Sequence, residues 1–309
     1  MTQKISTPHF IDIPPLSLED ISLLLDRAAF YKQGLAQGET YLDRLAGKVI
    51  LTLFVENSTR TRTSFEMAAL RLGAKLINWD ERISSASKGE TFTDTIMNLS
   101  AIGPDAIIMR HHEYNAPHFV AGLVKCPVIN AGDSWREHPS QALLDAMTII
   151  EAKGSLKGLT IAICGDISHS RVAGSDIALF TKMGATVHLV APPLLRPTKI
   201  SHPNVKVFDS LEEGLSGCDV VMMLRLQKER MESAAIPDDI SFFHQFGLTM
   251  ERLALAKPDA IVMHPGPINR GVEISDEVAD HKERSFILKQ AANGVFVRMA
   301  ILDLLVGTV

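Results

Sequence analysis

Val49-Ile50-Leu51-Thr52-Leu53-Phe54-Val55 is an unbroken apolar run, and Ser58-Thr59-Arg60-Thr61-Arg62-Thr63-Ser64-Phe65-Glu66 follows almost at once. The run reads as a buried strand. After it, Phe65, Ala68, Ala69 and Leu72 recur on one helical face, and Gly73 suits a C-terminal cap. The hydroxyls and guanidiniums therefore sit where a strand ends and a helix begins. Unpaired backbone N–H groups and the helix dipole favour an anion at that point. Ser58, Thr59, Arg60 and Thr61 add side-chain donors to it, which makes a phosphate site. The same spacing also fits an ordinary capped helix with solvated arginines.

The chain has 309 residues, room for two domains of ordinary size. It is 46% hydrophobic and 22% charged with a formal net charge of −5, a globular composition that points to neither a nucleic-acid nor a membrane-surface partner. No apolar stretch is long enough for a membrane span, and the start, Met1-Thr2-Gln3-Lys4, has no apolar signal region; a cytoplasmic location is expected. Cys126, Cys164 and Cys218 are far apart, so neither a zinc site nor a disulfide framework is expected. Cys164 and Cys218 lie in or beside apolar runs and read as small buried hydrophobes.

Apolar, β-rich runs recur at 48–55, 75–79, 106–109 and 127–130, and again at 159–164, 186–191, 205–207, 219–224 and 260–263. Helical patterns alternate with them, among them 92–100 and a long helix from Pro139 to Gly154. Continuous apolar runs suit parallel strands covered on both faces. The expected class is α/β, with two domains, each an open parallel sheet flanked by helices. The expected limits are residues 1–150 and 151–286, with a last helix at 287–309 returning to the first domain, its Ala291, Val295, Met299 and Leu302 in phase.

Ligands of open α/β sheets bind beyond the carboxyl ends of the strands. Those positions hold Ser58 to Arg62, Arg110 with His111, the loop to His138-Pro139-Ser140-Gln141, Gly165-Asp166 with Arg171, Arg225 with Gln227, and His264-Pro265-Gly266-Pro267. Arg60, Arg110, Arg171 and Arg225 thus fall at sheet ends in a chain that is net acidic. The planar fork of arginine pairs bidentately with phosphate and carboxylate, so substrates carrying several negative charges are expected. His138 and Gln141 share a face at a helix start, where the imidazole is favoured neutral. No Gly-x-Ser-x-Gly elbow, Walker-type loop or Gly-x-Gly-x-x-Gly occurs, which disfavours serine hydrolysis, ATP hydrolysis and dinucleotide binding. His111-His112-Glu113 is a poor metal site, because adjacent side chains on a strand point in different directions; no metal is expected.

Taken together, these segments resemble the catalytic chains of the aspartate carbamoyltransferase family. The resemblance runs nearly end to end. It covers residues 54–66, Lys88-Gly89-Glu90-Thr91, Met109-Arg110-His111, His138 to Asp145, Gly165-Asp166 to Arg171, Arg225-Leu226-Gln227-Lys228-Glu229-Arg230, and His264 to Gly271. It implies transfer of the carbamoyl group of carbamoyl phosphate to L-aspartate, a step of pyrimidine synthesis, with no cofactor. The first domain would take carbamoyl phosphate and the second aspartate. By motif, Ser58, Thr59, Arg60 and Thr61 would hold the phosphate. Arg110, His138 and Thr61 would polarise the carbamoyl carbonyl. Gln141 and the backbone of Gly266 and Pro267 would bind the carbamoyl nitrogen. Arg171 and Arg225 would clamp the aspartate carboxylates, with Gln227 nearby. In the family a serine and a lysine reach in from a neighbouring subunit. The lysine is Lys88, also an aspartate-binding residue; the serine is Ser84 by spacing, with Ser85 and Ser87 as alternatives. That implies a homotrimer with shared active sites, alone or assembled with regulatory or dihydroorotase-like chains.

Ornithine carbamoyltransferases share the Ser-Thr-Arg-Thr-Arg element, but a His-Cys-Leu-Pro segment replaces the one seen here. A cationic amino acid would also be poorly served by Arg171 and Arg225 together. A non-catalytic homologue acting as a scaffold is the reading from another class, and the intact motif residues speak against it.

Overall fold

The computed structural model describes residues 4–79, 89–197, 202–231 and 238–307. By contacts the chain divides into two compact units, residues 1–144 with 292–309 and residues 145–291. Each has its own parallel sheet.

In unit 1 the strands are β1 (Val49–Phe54), β2 (Lys75–Trp79), β3 (Ala106–His111) and β4 (Val128–Asp133), in the order β2-β1-β3-β4. Helices α1 (Leu18–Ala36), α2 (Thr59–Arg71), α3 (Phe92–Ala101) and α4 (Ala116–Ala121) alternate with them, and α5 (Pro139–Lys153) follows β4, contributing its residues up to Leu144 to unit 1 and the rest to unit 2. Leu51, Leu53, Ile107, Met109 and Val128 from the strands pack with Ile96 of α3 and Val120 of α4. An N-terminal segment extends the sheet: Phe10 bridges Ile129 in parallel, with Phe10 N–H on the Val128 carbonyl at 2.9 Å and Asn130 N–H on that of Phe10 at 2.8 Å.

Helix α2 ends as its composition requires. Gly73 has φ +81°, its N–H reaches the Leu70 carbonyl, and the Ala74 N–H reaches that of Ala69. A Cβ at Gly73 would lie 1.8 Å from the Leu42 carbonyl oxygen, so only glycine fits there.

In unit 2, β5 (Thr160–Gly165), β6 (Thr186–Val190), β7 (Val205–Phe208), β8 (Val220–Leu224) and β9 (Ile261–Met263) form a sheet in the order β7-β6-β5-β8-β9. Its helices are α6 (Arg171–Lys182), α7 (Leu211–Gly214), α8 (Asp239–Phe246), α9 (Met250–Leu253) and α10 (Asp276–Ala279). The last helix, α11 (Ile287–Val306), contributes its first residues to unit 2 and the remainder to unit 1.

Coverage on both faces holds for the central strands and for the edge strands β4 and β9, but not for the edges β2 and β7. Every residue of β8 is buried, whereas β2 carries exposed Lys75, Asn78 and Ile77, and β7 exposed Lys206 and Val207. Each of β4 and β9 gains a further parallel bridge, Phe10 with Ile129 and Val262 with Ser285. In α11, Ala291 is exposed and Val295 half-buried, so the expected phase is displaced. Burial runs all round from Val297 onward, the pattern of a helix enclosed by its own unit. Cys164 and Cys218 are buried and unbridged.

Candidate active site

Strand order selects the crevice in each unit. In unit 1 the chain runs outward from β1 to β2 on one side and β3 on the other, so the order reverses between β1 and β3. Ligands of such sheets bind beyond the carboxyl ends at that reversal. Phe54 and Arg110 are register partners there. The reversal therefore delivers the Ser58–Arg62 turn and Arg110 to one sheet end.

Helix α2 begins at Thr59 with Ser58 as its N-cap. Ser17, Thr91, Ser170, Ser210, Thr249 and Ser275 each accept a backbone N–H with their side chains at the starts of α1, α3, α6, α7, α9 and α10. The Ser58 hydroxyl makes no such bond, so the capped-helix reading does not describe α2. Thr59 and Arg60 are exposed and Thr61 is buried, with its Oγ1 3.3 Å from His138 Nε2. His138 lies just before α5 and is buried, as are Ser140 and Gln141. Arg110 Nε donates to Glu56 Oε2 at 3.1 Å, which places a carboxylate against a guanidinium of the group.

Three further residues of unit 1 were not singled out by pattern. Glu56 is one. Arg298 is another: it is 3% exposed, its guanidinium stands 5.0 Å over the Phe65 ring, and its Nη2 is 3.3 Å from Ser140 Oγ. A lone cation inside the apolar run 295–302 was the available signal. The third is Asp12, which receives both terminal nitrogens of Arg136 at 2.5 and 2.9 Å and lies 2.5 Å from His118 Nε2. Burial pushes the Asp12 carboxyl up, but hydrogen bonds from Arg136 and His118 outweigh it and hold it below its usual value. The rings of His111 and His112 stack at 4.6 Å, contrary to the expected divergence. The strand stops at His111, so alternation no longer governs the next side chain.

In unit 2 the order reverses between β5 and β8, where Gly165 and Leu224 are register partners. A Cβ at Gly165 would sit 2.3 Å from the Leu224 carbonyl oxygen, and φ there is +115°. Close approach of the two strand ends thus requires glycine. Beyond them, buried Asp166 accepts the Gln227 N–H at 3.0 Å and lies 2.8 Å from His169 Nδ1, which ties the β5 and β8 loops together. Arg171 is the first residue of α6 and is buried. Arg225 is half-buried and forked on Glu229: Nη1 donates to Oε2 at 3.0 Å and Nη2 to Oε1. That hydrogen bond raises the Arg225 pKa and lowers that of Glu229.

The segment after β9 is shaped by buried polar groups. Gln290 Oε1 accepts the His264 N–H at 2.9 Å, and His264 Nδ1 accepts the Gly266 N–H at 2.8 Å. That leaves Nε2 to donate to Glu273 at 3.1 Å. The Gly266–Pro267 peptide is cis.

In unit 1 the structure brings Thr61 to His138 and places Ser58, Thr59, Arg60, Arg110 and Gln141 at or just beyond the carboxyl ends of β1, β3 and β4. In unit 2, Arg171, Arg225 with Gln227, and Gly266 with Pro267 follow the ends of β5, β8 and β9 respectively. Lys88 and Ser84, Ser85 and Ser87 lie outside the described residues.

Residues 8–151 match the family profile described as the carbamoyl-P binding domain of aspartate/ornithine carbamoyltransferases, and residues 157–305 match the Asp/Orn binding domain. The aspartate carbamoyltransferase catalytic subunit of Rhodospirillum rubrum is 52% identical over 299 residues, 97% of this chain and 94% of that one. Trypanosoma cruzi aspartate transcarbamoylase, solved with carbamoyl aspartate and phosphate, is 32% identical with a TM-score of 0.89, covering 100% of this chain and 99% of that one. Ornithine carbamoyltransferase from Pyrococcus furiosus is 29% identical with a TM-score of 0.90, covering 99% of each chain. Backbone similarity does not separate the two activities; sequence does. The chain belongs to the aspartate/ornithine carbamoyltransferase family, among its aspartate carbamoyltransferase catalytic chains.

Proposed function

We propose that the chain transfers the carbamoyl group of carbamoyl phosphate to the amine of L-aspartate, giving N-carbamoyl-L-aspartate and phosphate for pyrimidine biosynthesis. The observation that carries this is the pairing of cationic groups with the two sheet reversals. One unit presents an uncapped helix start with Arg60 and Arg110, and the other presents Arg171 and Arg225. The first set suits phosphate and the second a dicarboxylate.

In this reading Ser58, Thr59, Arg60 and Thr61 hold the phosphate. Arg110, His138 and Thr61 stabilise the oxyanion, and Gln141 with the backbone of Gly266 and Pro267 binds the carbamoyl nitrogen. Arg171, Arg225 and Gln227 take aspartate. The neutral amine attacks the carbamoyl carbon, a C–N bond forms, and the C–O bond to phosphate breaks. Phosphate leaves with the electron pair and is the proton acceptor the arrangement offers. Donors placed where the oxyanion develops are worth about 3 kcal/mol each. Holding both substrates for in-line attack supplies much of the rest as entropy.

We also propose that Lys88 and Ser84 complete a neighbouring subunit's site in a homotrimer, and that the chain works in the cytoplasm. No helix among the described residues is long and apolar enough to cross a membrane. Regulatory or dihydroorotase-like chains are candidate partners of the trimer.

The test is the initial rate of carbamoylation by the purified chain with carbamoyl phosphate and either L-aspartate or L-ornithine. Turnover with aspartate alone is expected. Turnover with ornithine overturns the roles of Arg171 and Arg225, and none with either amine favours a scaffold.

A further inference from the structure

His138 owes its place to four residues. Strand β4 ends at Asp133, α5 starts at Pro139, and Ser134, Trp135, Arg136 and Glu137 make the connection. That turn is tight. Asp133 N–H reaches the Glu137 carbonyl at 2.9 Å, and Arg136 N–H reaches the Asp133 carbonyl at 2.8 Å. Ser134 adopts φ +45°, outside the range a serine prefers, with its N–H on the His111 carbonyl at 2.9 Å. Such a conformation persists only where its surroundings over-determine it.

The surroundings come from the far N-terminus. Asn130 Nδ2 holds the Ile11 carbonyl at 2.9 Å and the Glu137 carbonyl at 3.4 Å, linking the added segment to the turn. The next residue, Asp12, is 8% exposed and takes the Arg136 fork at 2.5 and 2.9 Å. Arg136 Nη1 also reaches fully buried Asp133 at 3.1 Å, and the Asp133 carboxylate accepts the Asn115 N–H at 2.8 Å. A bidentate guanidinium–carboxylate pair fixes direction as well as distance. One side chain of the turn is thus fastened to β4 and to a segment 124 residues away.

We propose that Arg136, clamped on Asp12, is a positioning residue for His138: it locks the 134–137 turn and so sets the imidazole against the Thr61 hydroxyl. Arg136 touches no substrate in this scheme. The proposal rests on the carbamoyl-transfer reading above for its kinetic consequence, and on geometry alone for its structural one.

The test uses the full chain with R136A, R136K, D12N and the D12N/R136A pair. R136A and D12N are each expected to lower kcat at least about tenfold, a fraction of what loss of the donor itself costs, with KM for aspartate within about twofold. The double variant is expected to be no worse than R136A, since either change breaks the same clamp. R136K, which keeps charge but not the fork, is expected to fall between R136A and wild type. Inorganic phosphate binding, measured by calorimetry, stays near wild type if only the imidazole has shifted. Wild-type kcat in R136A and D12N, losses that multiply, or loss of phosphate binding in step with kcat overturns the proposal. Where R136A does not fold, D12N and R136K decide by the same criteria. Amide hydrogen exchange across residues 134–138 is expected to quicken in R136A and D12N whether or not the wild type turns over aspartate. Unchanged exchange sinks the positioning role, and an inactive wild type sinks the carbamoyl-transfer reading instead.

Discussion

Thr61 Oγ1 and His138 Nε2 stand 3.3 Å apart although 77 residues separate them in the chain. Parallel order makes that meeting possible. Helix α2 leaves the end of β1 and α5 leaves the end of β4, and all strands of the sheet end on one edge. Two donors at this spacing can share one oxyanion. We therefore expect Thr61→Ala and His138→Ala each to lower kcat by about 10²-fold. The double variant should lose less than the product of the two, because the residues act as a unit. Steady-state kinetics of the four forms check this, and strictly multiplicative losses would mean that the two act separately.

Arg60 is exposed and at the start of α2, so its removal leaves the core intact. Arg60→Ala should change folding stability by less than about 0.5 kcal/mol. It should weaken carbamoyl phosphate binding by at least about tenfold, the worth of a charge-assisted hydrogen bond to an anion. Unfolding midpoints and the dependence of rate on carbamoyl phosphate separate the two effects. A normal substrate dependence removes Arg60 from the phosphate site.

The residues of both clusters were legible in sequence because each follows an apolar strand, and strand ends are where open sheets bind ligands. Periodicity also located α2, down to Gly73 beyond its end. It did not give the strand order, since a parallel run carries no sign of which neighbour it will take. Long-range clamps stayed hidden for the same reason: nothing around Asp12 marks Arg136 as its partner. Arg298 was visible only as a charge in an apolar helix, and its proximity to Phe65 and Ser140 appears once α11 is placed in unit 1. Glu56 reads as a loop acid until the pairing of β1 with β3 sets it beside Arg110.

Arg225 meets Glu229 through both terminal nitrogens, the geometry a substrate carboxylate would adopt. Arg225→Lys keeps a positive charge but loses the planar fork. Arg225→Lys should therefore raise KM for aspartate at least about tenfold while the carbamoyl phosphate dependence stays within about twofold. Rates measured against each substrate in turn decide it. Equal effects on both substrates would show that Arg225 supports the site as a whole and does not read the amino acid.

His111 closes β3, is 4% exposed and packs 4.9 Å from the Phe92 ring centroid. Burial, with His112 beside it, lowers its pKa from the ordinary 6.5. The unfolded chain therefore takes up a proton here at a higher pH than the folded one. Stability is complete above 6.5 and declines as pH falls through the lowered folded value. His9 and His188 shift the same way, both mainly through burial, and add to the slope. His111→Asn retains an acceptor for the Glu113 N–H, which His111 Nδ1 binds at 3.0 Å. The loss of thermal midpoint on going from about pH 7.5 to about 5.5, across the unfolded value of 6.5, should be smaller in that variant than in wild type. An identical loss would assign the slope to other groups.

Gly165 and Gly158 both have positive φ, +115° and +81°, but only one has a neighbour in the way. A Cβ at Gly165 meets the Leu224 carbonyl oxygen at 2.3 Å, and one at Gly158 meets nothing within 4 Å. Comparing the two separates backbone strain from steric contact. Gly158→Ala should cost about 1 kcal/mol from the left-handed backbone alone. Gly165→Ala must also spread β5 from β8, and we expect at least about 3 kcal/mol. Because β5 and β8 lead directly to Asp166 and Arg225, that spreading also moves the residues assigned to aspartate. Gly165→Ala should therefore raise KM for aspartate, and Gly158→Ala should not. Urea unfolding and aspartate titrations of both variants give the answer. Equal costs would mean that the strand ends can separate without strain, and that the tight β5–β8 junction does not set the position of Arg225.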